Sequence, residues 1–250
     1  MIWLMKKNDP RRLQAQRRKI LEAAARFIAE HGYHGMTMRG LARATGKSLA
    51  TAYNYFDSKE EILFALQEEA FESLLSAAER ALEGIEPPSS RLYALILNHV
   101  SYVASHGAVM RVLVHEAGSL PAAKRRVVRS LKRKYFEIAR QVIENLLEEG
   151  CGQTGVEGRP VEDPAEVERV TYSLFGMLNW IYGWYEPKRH GDTQALARTM
   201  HRLVLCGAVS ACPMRETQTE VDSYFGSLET RPLIGGEPPE VASPTGGSAR

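Results

Sequence analysis

Residues 37–59 decide the fold; they read TMRGLARATGKSLATAYNYFDSK. Thr37 can cap a short helix over residues 38–44, which Gly46 closes, and Ser48 can cap a second helix over residues 49–55. Ser58 can then cap a longer helix that runs to about residue 83. Two short helices joined by a turn at a glycine predict a helix-turn-helix, whose second helix would lie in the major groove of double-stranded DNA.

The second helix of this motif has a hydroxyl-bearing face. Ser48, Thr51 and Tyr55 fall at steps of three and four, which places them on one side of a helix. Hydroxyl groups hydrogen-bond both phosphate oxygens and base edges, and Lys59, at the start of the next helix, can reach a further phosphate. The predicted DNA-contacting residues are Thr37, Arg39, Lys47, Ser48, Leu49, Ala50, Thr51, Tyr53, Asn54, Tyr55 and Lys59. The alternative is a plain helical hairpin in which the aromatic residues only form a core.

Charge is unevenly distributed along the chain. Residues 1–59 contain 12 Lys and Arg against 4 Asp and Glu, a net charge of +8, whereas the whole chain of 250 residues carries +2, so residues 60–250 carry −6. Lys and Arg that neutralise phosphates release condensed counterions, which is the sequence-independent part of DNA affinity. The basic first quarter therefore fits a nucleic-acid contact. A solvated charged face would give the same composition. Charge alone therefore does not distinguish it from a nucleic-acid contact, and the helix-turn-helix motif is needed as further evidence.

Apolar residues continue at helical spacing on both sides of the motif, and strand-like alternation is absent from the sequence. One predicted helix covers residues 16–31; those after the motif run from about 92 to 107 and over 109–117, 122–149, 165–185 and 193–212. The sequence predicts an all-α fold of about nine helices, with a three-helix head and a larger helical body.

This pattern predicts four segments. Residues 1–15 form a basic flexible arm with Lys6, Lys7, Arg11 and Arg12, residues 16–62 the helix-turn-helix head, and residues 63–212 the ligand-binding and dimerisation body. Residues 213–250, rich in Gly, Pro, Ser, Thr and Glu, are predicted to be a disordered tail.

The motif closely resembles the DNA-binding head of the TetR family of transcriptional regulators. The matching pattern is Thr-x-x-x-Leu-Ala-x-x-x-Gly-x-Ser-x-x-Thr-x-Tyr-x-Tyr-Phe-x-x-Lys-x-x-Leu from Thr37 to Leu63, and the likeness extends over residues 16–65. The resemblance implies a homodimer whose two heads read a pseudo-palindromic operator, with the last two body helices pairing across the two-fold axis. Two positions depart from the usual family pattern: Gly40 stands where the family commonly has an acidic residue, and Lys47 where it has a small apolar one.

Enzymatic and metal-binding interpretations have little support in the sequence. Gly46-Lys47-Ser48 is not a phosphate-binding loop, because Leu41 stands where that loop needs a glycine. His99 with His106, and the pair His115-Glu116, could be polar groups of a pocket, but isolated core or surface histidines explain them better. We therefore expect no catalytic residue, metal site or cofactor.

The location of the protein follows from cysteine use and hydropathy. Three cysteines without disulfide or Cys-x-x-Cys spacing fit a reducing cytosol. The short apolar start does not form a secretory signal, and the apolar-aromatic run at 171–185 is too short to cross a bilayer. The expectation is a cytoplasmic protein without a membrane partner.

Two features of the predicted body suggest a small-molecule effector. The first is aromatic density around Asn179, with Tyr172, Phe175, Trp180, Tyr182, Trp184 and Tyr185. The second is a stripe of seven basic residues between positions 124 and 134, which we call the basic stripe: Lys124, Arg125, Arg126, Arg129, Lys132, Arg133 and Lys134. The alternative for the aromatic residues is that they form plain core and dimer interface. The alternative for the basic stripe is a solvated helix face. The predicted ligand-binding residues are Tyr102, Phe175, Asn179, Tyr182, Arg125, Arg129 and Arg133.

Residues 179–187, NWIYGWYEP, also resemble the end of those TetR-family repressors that control fatty-acid and related acyl degradation and respond to acyl-coenzyme A thioesters. The resemblance implies an acyl chain among the aromatic residues and coenzyme A phosphates near the basic stripe, since Arg forks match phosphate oxygens. The hypothesis is therefore a repressor that acyl-CoA releases from its operator. The alternatives are a multidrug-sensing repressor of an efflux operon and a DNA-architectural protein without a pocket.

Overall fold

The computed structural model describes residues 10–149 and 163–208, all of whose regular elements are helices. Within these residues ten α-helices and one 3₁₀ turn follow each other in this order: α1 (Pro10–Gly35), α2 (Met38–Ala44), α3 (Leu49–Tyr53), α4 (Lys59–Leu82), α5 (Pro88–Ser105), α6 (Gly107–His115), α7 (Ala122–Glu149), α8 (Pro164–Asn179), the 3₁₀ turn (Ile181–Gly183), α9 (Pro187–His190) and α10 (Thr193–Ala208). The all-α prediction is confirmed. Residues 1–9, residues 150–162 and residues 209–250, which include the predicted tail at 213–250, lie outside the described residues.

The prediction of a flexible arm over residues 1–15 is wrong for residues 10–15. Helix α1 begins at Pro10 and continues to Gly32, where the backbone turns out of the helical region with a φ of 74°. Proline suits the first turn of a helix because its missing N–H has no helical partner there. The Arg, Leu, Gln and Ala residues that follow it are good helix formers, so helix 1 extends six residues further toward the N-terminus than predicted.

The predicted continuous helix over residues 165–185 is also wrong. Helix α8 ends at Asn179, the 3₁₀ turn follows, and the short helix α9 lies between the last two predicted helices. The segment after Asn179 is poor in strong helix formers, since aromatic residues lose rotamer freedom in a helix and Gly183 adds a backbone entropy cost. The aromatic residues after Asn179 therefore do not lie on the same helix face as Phe175 and Asn179.

Buried apolar side chains form two clusters, a head core and a body core. The head core draws on α1, α2, the first half of α4 and parts of α6 and α7, with Leu41 and Phe56 among its buried residues. The body core draws on the second half of α4, on α5 to α8, on the 3₁₀ turn and on α10. The partly buried side chain of Phe71 on α4 packs against both cores.

The helix-turn-helix depends on caps and one glycine. Thr37 Oγ1 accepts a hydrogen bond from the Gly40 amide at 3.0 Å, and Ser48 Oγ accepts one from the Thr51 amide at 3.0 Å. The turn between α2 and α3 passes through Gly46, whose φ of 64° lies in the left-handed region. These caps and the turn stand where the sequence predicted them.

None of the described helices is both long enough and apolar enough to cross a membrane.

The turn at Gly46 gives the first prediction. Gly46→Ala should lower the free energy of unfolding by about 1 kcal/mol, because an L side chain in the left-handed region crowds its own backbone. Chemical denaturation followed by circular dichroism measures the difference. Gly107→Ala is the control, because Gly107 begins α6 with open space around it and no positive φ. Equal stabilities of wild type and Gly46→Ala would show that the turn does not need its glycine.

Candidate DNA-binding and effector-binding sites

The predicted recognition helix, α3, presents polar side chains on its outer side and apolar ones toward the head core. Ala52 and Phe56 are buried, whereas Tyr53 is 47% exposed. The hydroxyls of Ser48 and Thr51 lie 2.7 Å apart and share a hydrogen bond. An exposed tyrosine beside a pair of hydroxyls does not fit the alternative in which these residues only form a core.

The predicted DNA-contacting residues fall into two groups. Six are exposed: Thr37, Arg39, Ser48, Ala50, Tyr53 and Asn54. The other five are half-buried: Lys47, Leu49, Thr51, Tyr55 and Lys59. In the second group the ammonium of Lys47 donates to Gln16 Oε1 at 2.8 Å, and that of Lys59 lies 4.6 Å from the centre of the Tyr33 ring. The contact of all eleven residues with DNA stays a prediction.

A partly enclosed cavity of about 210 Å³ lies inside the body. Helices α4, α5, α6, α7 and α8 all contribute to its wall, which is mostly apolar and aromatic. Its lining residues are Phe71, Leu74, His99, Met110, Leu113, Val114, Lys132, Tyr135, Phe136, Tyr172, Phe175 and Asn179. We call this the aromatic cavity.

The polar centre of the aromatic cavity is a buried pair, His99 and Tyr135. Nδ1 of His99 lies 3.0 Å from the Tyr135 hydroxyl, while its Nε2 is buried without a hydrogen-bond partner in the described part of the chain. Burial lowers the pKa of His99 from 6.5 to about 4, although the Asn179 side chain partly opposes this effect. His99 is therefore neutral at pH 7, and burial also raises the pKa of the Tyr135 phenol.

A second, open groove of about 610 Å³ adjoins the aromatic cavity on the outer side of α7. The two spaces share the side chains of Lys132, Phe136 and Tyr172. The other residues that line the groove are charged and of mixed sign: Arg129, Arg133, Glu137, Arg140 and Glu168. We call this the basic groove.

The cations of the basic groove differ in how far they are already neutralised. Arg140 forms ion pairs with Glu137 at 2.7 Å and with Glu144 at 3.0 Å. Arg129, Lys132 and Arg133 are exposed and form no ion pair within residues 10–149 and 163–208. Within the described part of the chain, these three cations therefore stay available to an anion beside the aromatic cavity.

The structure brings four of the seven predicted ligand-binding residues to these two spaces. Phe175 and Asn179 line the aromatic cavity, and Arg129 and Arg133 line the basic groove. Arg125 instead donates to the Gly118 carbonyl at 3.4 Å. The sequence did not assign Phe71, Leu74 and Met110 to the site, because apolar helix residues give no signal that separates core from cavity wall.

Tyr102 and Tyr182 stand outside the cavity lining, contrary to their assignment from the sequence. The ring of Tyr102 stacks on His106 with centroids 4.4 Å apart. The Tyr182 hydroxyl lies 2.7 Å from His115 Nε2. Because α8 ends at Asn179, Tyr182 does not share the face of Phe175 and Asn179 that an unbroken helix would have given it.

Helix α6 connects the aromatic cavity with the head. Met110 and Leu113 line the cavity, and Val112 is buried in the head core. Just after α6, Glu116 Oε1 accepts a hydrogen bond from the Tyr33 amide at 3.0 Å, and its backbone carbonyl accepts one from Gln67 Nε2 at 3.0 Å. Glu116 thereby ties the end of α1 to α4 and to the α6–α7 loop.

The electrostatics of Glu116 support this role. Burial alone would raise the pKa of its carboxyl, but hydrogen bonds from Ser119 and from the Tyr33 amide lower the pKa overall. Glu116 therefore stays ionised and keeps accepting both hydrogen bonds at neutral pH.

Large apolar side chains are exposed on the outer faces of the last helices. Tyr172 is 63% exposed, Trp180 60% and Leu203 60%. Tyr172 lies on α8 and Leu203 on α10, within the two segments for which the sequence predicts the dimer interface. Pairing of these helices in a dimer stays a prediction.

The buried His99 gives a pH prediction. Its folded-state pKa of about 4 lies below its ordinary value of 6.5, so the unfolded chain takes up the proton first as the pH falls. Titration of His99 therefore leaves the free energy of unfolding unchanged above pH 6.5. Between pH 6.5 and pH 4 it lowers the free energy of unfolding by about 3 kcal/mol, at roughly 1.4 kcal/mol per pH unit. Urea titrations between pH 7 and pH 4 should show a weaker decline for His99→Leu than for wild type. Parallel declines would place the proton uptake on other groups.

Comparison with known proteins assigns both parts of the chain. Residues 20–66 match the family model described as bacterial regulatory proteins, tetR family, and residues 86–208 match that of the tetracyclin repressor-like C-terminal domain. The fatty acid metabolism regulator protein of Bacillus subtilis (strain 168) is 24% identical over 204 residues, which cover 81% of this chain and 98% of that protein.

Solved structures show the same relationship. The TetR family transcriptional regulator PfmR from Thermus thermophilus is 30% identical with a TM-score of 0.64, covering 74% of this chain and 96% of its own. AibR, solved with isovaleryl coenzyme A and operator DNA, is 27% identical with a TM-score of 0.62, covering 75% of this chain and 96% of its own. The helix-turn-helix head, the helical body and these matches together show that the chain belongs to the TetR family of transcriptional regulators.

Proposed function

We propose that this regulator is a repressor that an acyl-CoA thioester releases from operator DNA, and that it controls fatty-acid or related acyl catabolism. The observation that carries the proposal is that the aromatic cavity and the basic groove are neighbours whose walls share Lys132, Phe136 and Tyr172. An acyl-CoA has an apolar acyl group at one end and phosphates at the other. The cavity suits the acyl group and the groove suits the phosphates.

The charges of the site favour an anionic effector over the cationic lipophiles of a multidrug sensor. The residues that line the aromatic cavity, as far as the structure describes the chain, include a lysine but no carboxylate. A buried cation without a counterion would pay a large desolvation cost there. Arg129, Lys132 and Arg133 would in contrast gain charge-assisted hydrogen bonds to phosphate oxygens.

The relatives point in the same direction. AibR was solved with isovaleryl coenzyme A and operator DNA, and the Bacillus subtilis relative is a fatty acid metabolism regulator. These are properties of those proteins, and they support an acyl-CoA effector for this one.

The proposed release mechanism follows from the helices that the cavity shares with the head. Phe71 and Leu74 on α4 and Met110 on α6 line the cavity, and Lys59 at the start of α4 lies beside the helix-turn-helix. In a homodimer the two heads must stand about 34–36 Å apart to reach successive major grooves. An effector that shifts α4 or α6 changes this spacing, and effector and operator then weaken each other's binding reciprocally.

For the DNA contacts we predict the effect of Lys59→Ala. The variant should bind operator DNA more weakly and reduce the slope of log affinity against log salt by about 0.9, the share of one phosphate contact on duplex DNA. Fluorescence anisotropy at several salt concentrations measures both quantities. Lys134→Ala, on the exposed side of α7, is the matched control and should leave the slope unchanged. An unchanged slope in Lys59→Ala would remove Lys59 from the phosphate contacts.

For the effector we predict release of a labelled operator on titration with acyl-CoA, but not with free coenzyme A or with cationic dyes. Arg129→Gln combined with Arg133→Gln should weaken the response about tenfold or more, since hydrogen bonds to charged groups contribute about 1.5–3 kcal/mol each. Operator affinity without effector should stay as in wild type, and Lys134→Gln serves as the control for lost charge. Release by dyes and not by acyl-CoA would support the multidrug alternative instead.

A further inference from the structure

His99 lines the aromatic cavity, and the fold leaves its buried Nε2 atom without a hydrogen-bond partner among the described residues. His99 is 2% exposed, and no described group completes a hydrogen bond to Nε2, although the Asn179 side chain lies close enough to oppose the lowering of the imidazole pKa by burial. A buried nitrogen without a hydrogen bond costs about 1–3 kcal/mol. Orphaned polar atoms of this kind are rare in folded proteins, and this one belongs to a cavity wall.

The surroundings of His99 restrict what can satisfy Nε2. The opposite nitrogen, Nδ1, is already engaged by the Tyr135 hydroxyl at 3.0 Å. The rings of Tyr135 and Phe175 lie 5.8 Å and 6.0 Å from the imidazole, so aromatic walls flank it. Among the lining residues that the structure describes, Lys132 is the only side chain with a formal charge at pH 7, and it is exposed. A ligand carboxylate held against the neutral imidazole would carry a buried negative charge without a counterion. A neutral ligand oxygen carries no charge and avoids this cost.

The size of the cavity adds a second restriction. Pockets for drug-sized molecules span about 300–1,000 Å³, and the aromatic cavity has about 210 Å³. It is therefore suited to a small group, while the larger part of an effector would lie in the adjoining groove of about 610 Å³.

We infer that the effector's acyl group is short and carries a neutral oxygen that hydrogen-bonds to Nε2 of His99. This inference rests on the acyl-CoA function proposed above and names the class of acyl group. The oxygen is either the thioester carbonyl or a hydroxyl on the acyl chain.

The tautomer of His99 distinguishes these two sources. If the Tyr135 hydroxyl donates to Nδ1, Nε2 carries the hydrogen and donates to a carbonyl. If Nδ1 carries the hydrogen and donates to Tyr135, Nε2 is an acceptor and requires a hydroxyl as donor. A hydroxyl can also accept, so the thioester carbonyl and the hydroxyl have to be removed separately.

The test measures direct binding of a ligand series to the full chain by calorimetry. Butyryl-CoA is compared with palmitoyl-CoA for length, with the thioether S-butyl-CoA for the carbonyl, and with 3-hydroxybutyryl-CoA for the hydroxyl. The decisive variants are Tyr135→Phe and the double variant His99→Leu/Tyr135→Phe. They differ only at His99, and the double variant leaves no orphaned tyrosine hydroxyl. Thermal unfolding and binding of operator DNA without ligand establish that both variants are folded.

Butyryl-CoA should bind more tightly than palmitoyl-CoA. In addition, either S-butyl-CoA should bind about 3–10-fold more weakly than butyryl-CoA, or 3-hydroxybutyryl-CoA should bind about 3–10-fold more tightly, the range expected for one neutral hydrogen bond. That difference should persist in Tyr135→Phe and vanish in the double variant.

Tighter binding of palmitoyl-CoA would overturn the inference, and so would ligand differences that are the same with and without His99. Both of these outcomes leave the proposed acyl-CoA function standing, because an acyl-CoA still binds. Failure of every CoA thioester to bind overturns the proposed function and this inference together.

Discussion

Helix α4 is buried in two hydrophobic cores at once, and the rest of the structure depends on this constraint. Ile62 and Leu63 near its start belong to the head core, whereas Leu74 and Ala78 in its second half belong to the body core. Its 24 residues span about 36 Å at 1.5 Å per residue. Because protein interiors are close-packed and resist compression, a shift of α4 at the body end has to be accommodated at the head end.

Polar contacts orient the head on the body, and burial supplies most of the stability. Lys124 pairs with Glu61 across α7 and α4, but the two side chains are 30% and 41% exposed, and a surface ion pair contributes only about 0–1 kcal/mol. Deleting one large buried side chain costs about 2–5 kcal/mol by comparison. The hydrogen bonds of Glu116 to Tyr33 and Gln67 act in the same way as the ion pair. They fix the orientation of the head on the body, whereas the two buried cores stabilise the fold.

The sequence predicted local structure well where a chemical signal marks a boundary. Thr37, Ser48 and Ser58 cap helices as expected, and the helices at 38–44 and 122–149 have their predicted bounds. It failed after Asn179, because apolar periodicity alone does not show that aromatic residues and Gly183 end a helix. Of the residues that line the aromatic cavity, the sequence assigned Phe175 and Asn179 to a ligand site but not Phe71. A cavity is a property of packing between helices, and an apolar residue has the same pattern whether it meets a neighbour or empty space.

In the proposed function, different residues of the aromatic cavity carry ligand recognition and the response to the ligand. His99 and Asn179 would supply polar groups for selecting a ligand and stand on α5 and α8, whereas Phe71 and Met110 stand on the helices that lead to the head. Phe71 also packs against both cores, so a ligand that displaces its ring acts directly on the helix shared by them. A ligand that bound only through His99 and left Phe71 in place would favour neither head spacing and would not change operator affinity however tightly it bound. If the cavity binds the proposed effector, affinity for the effector and release of the operator therefore depend on different contacts, and one molecule has to make both.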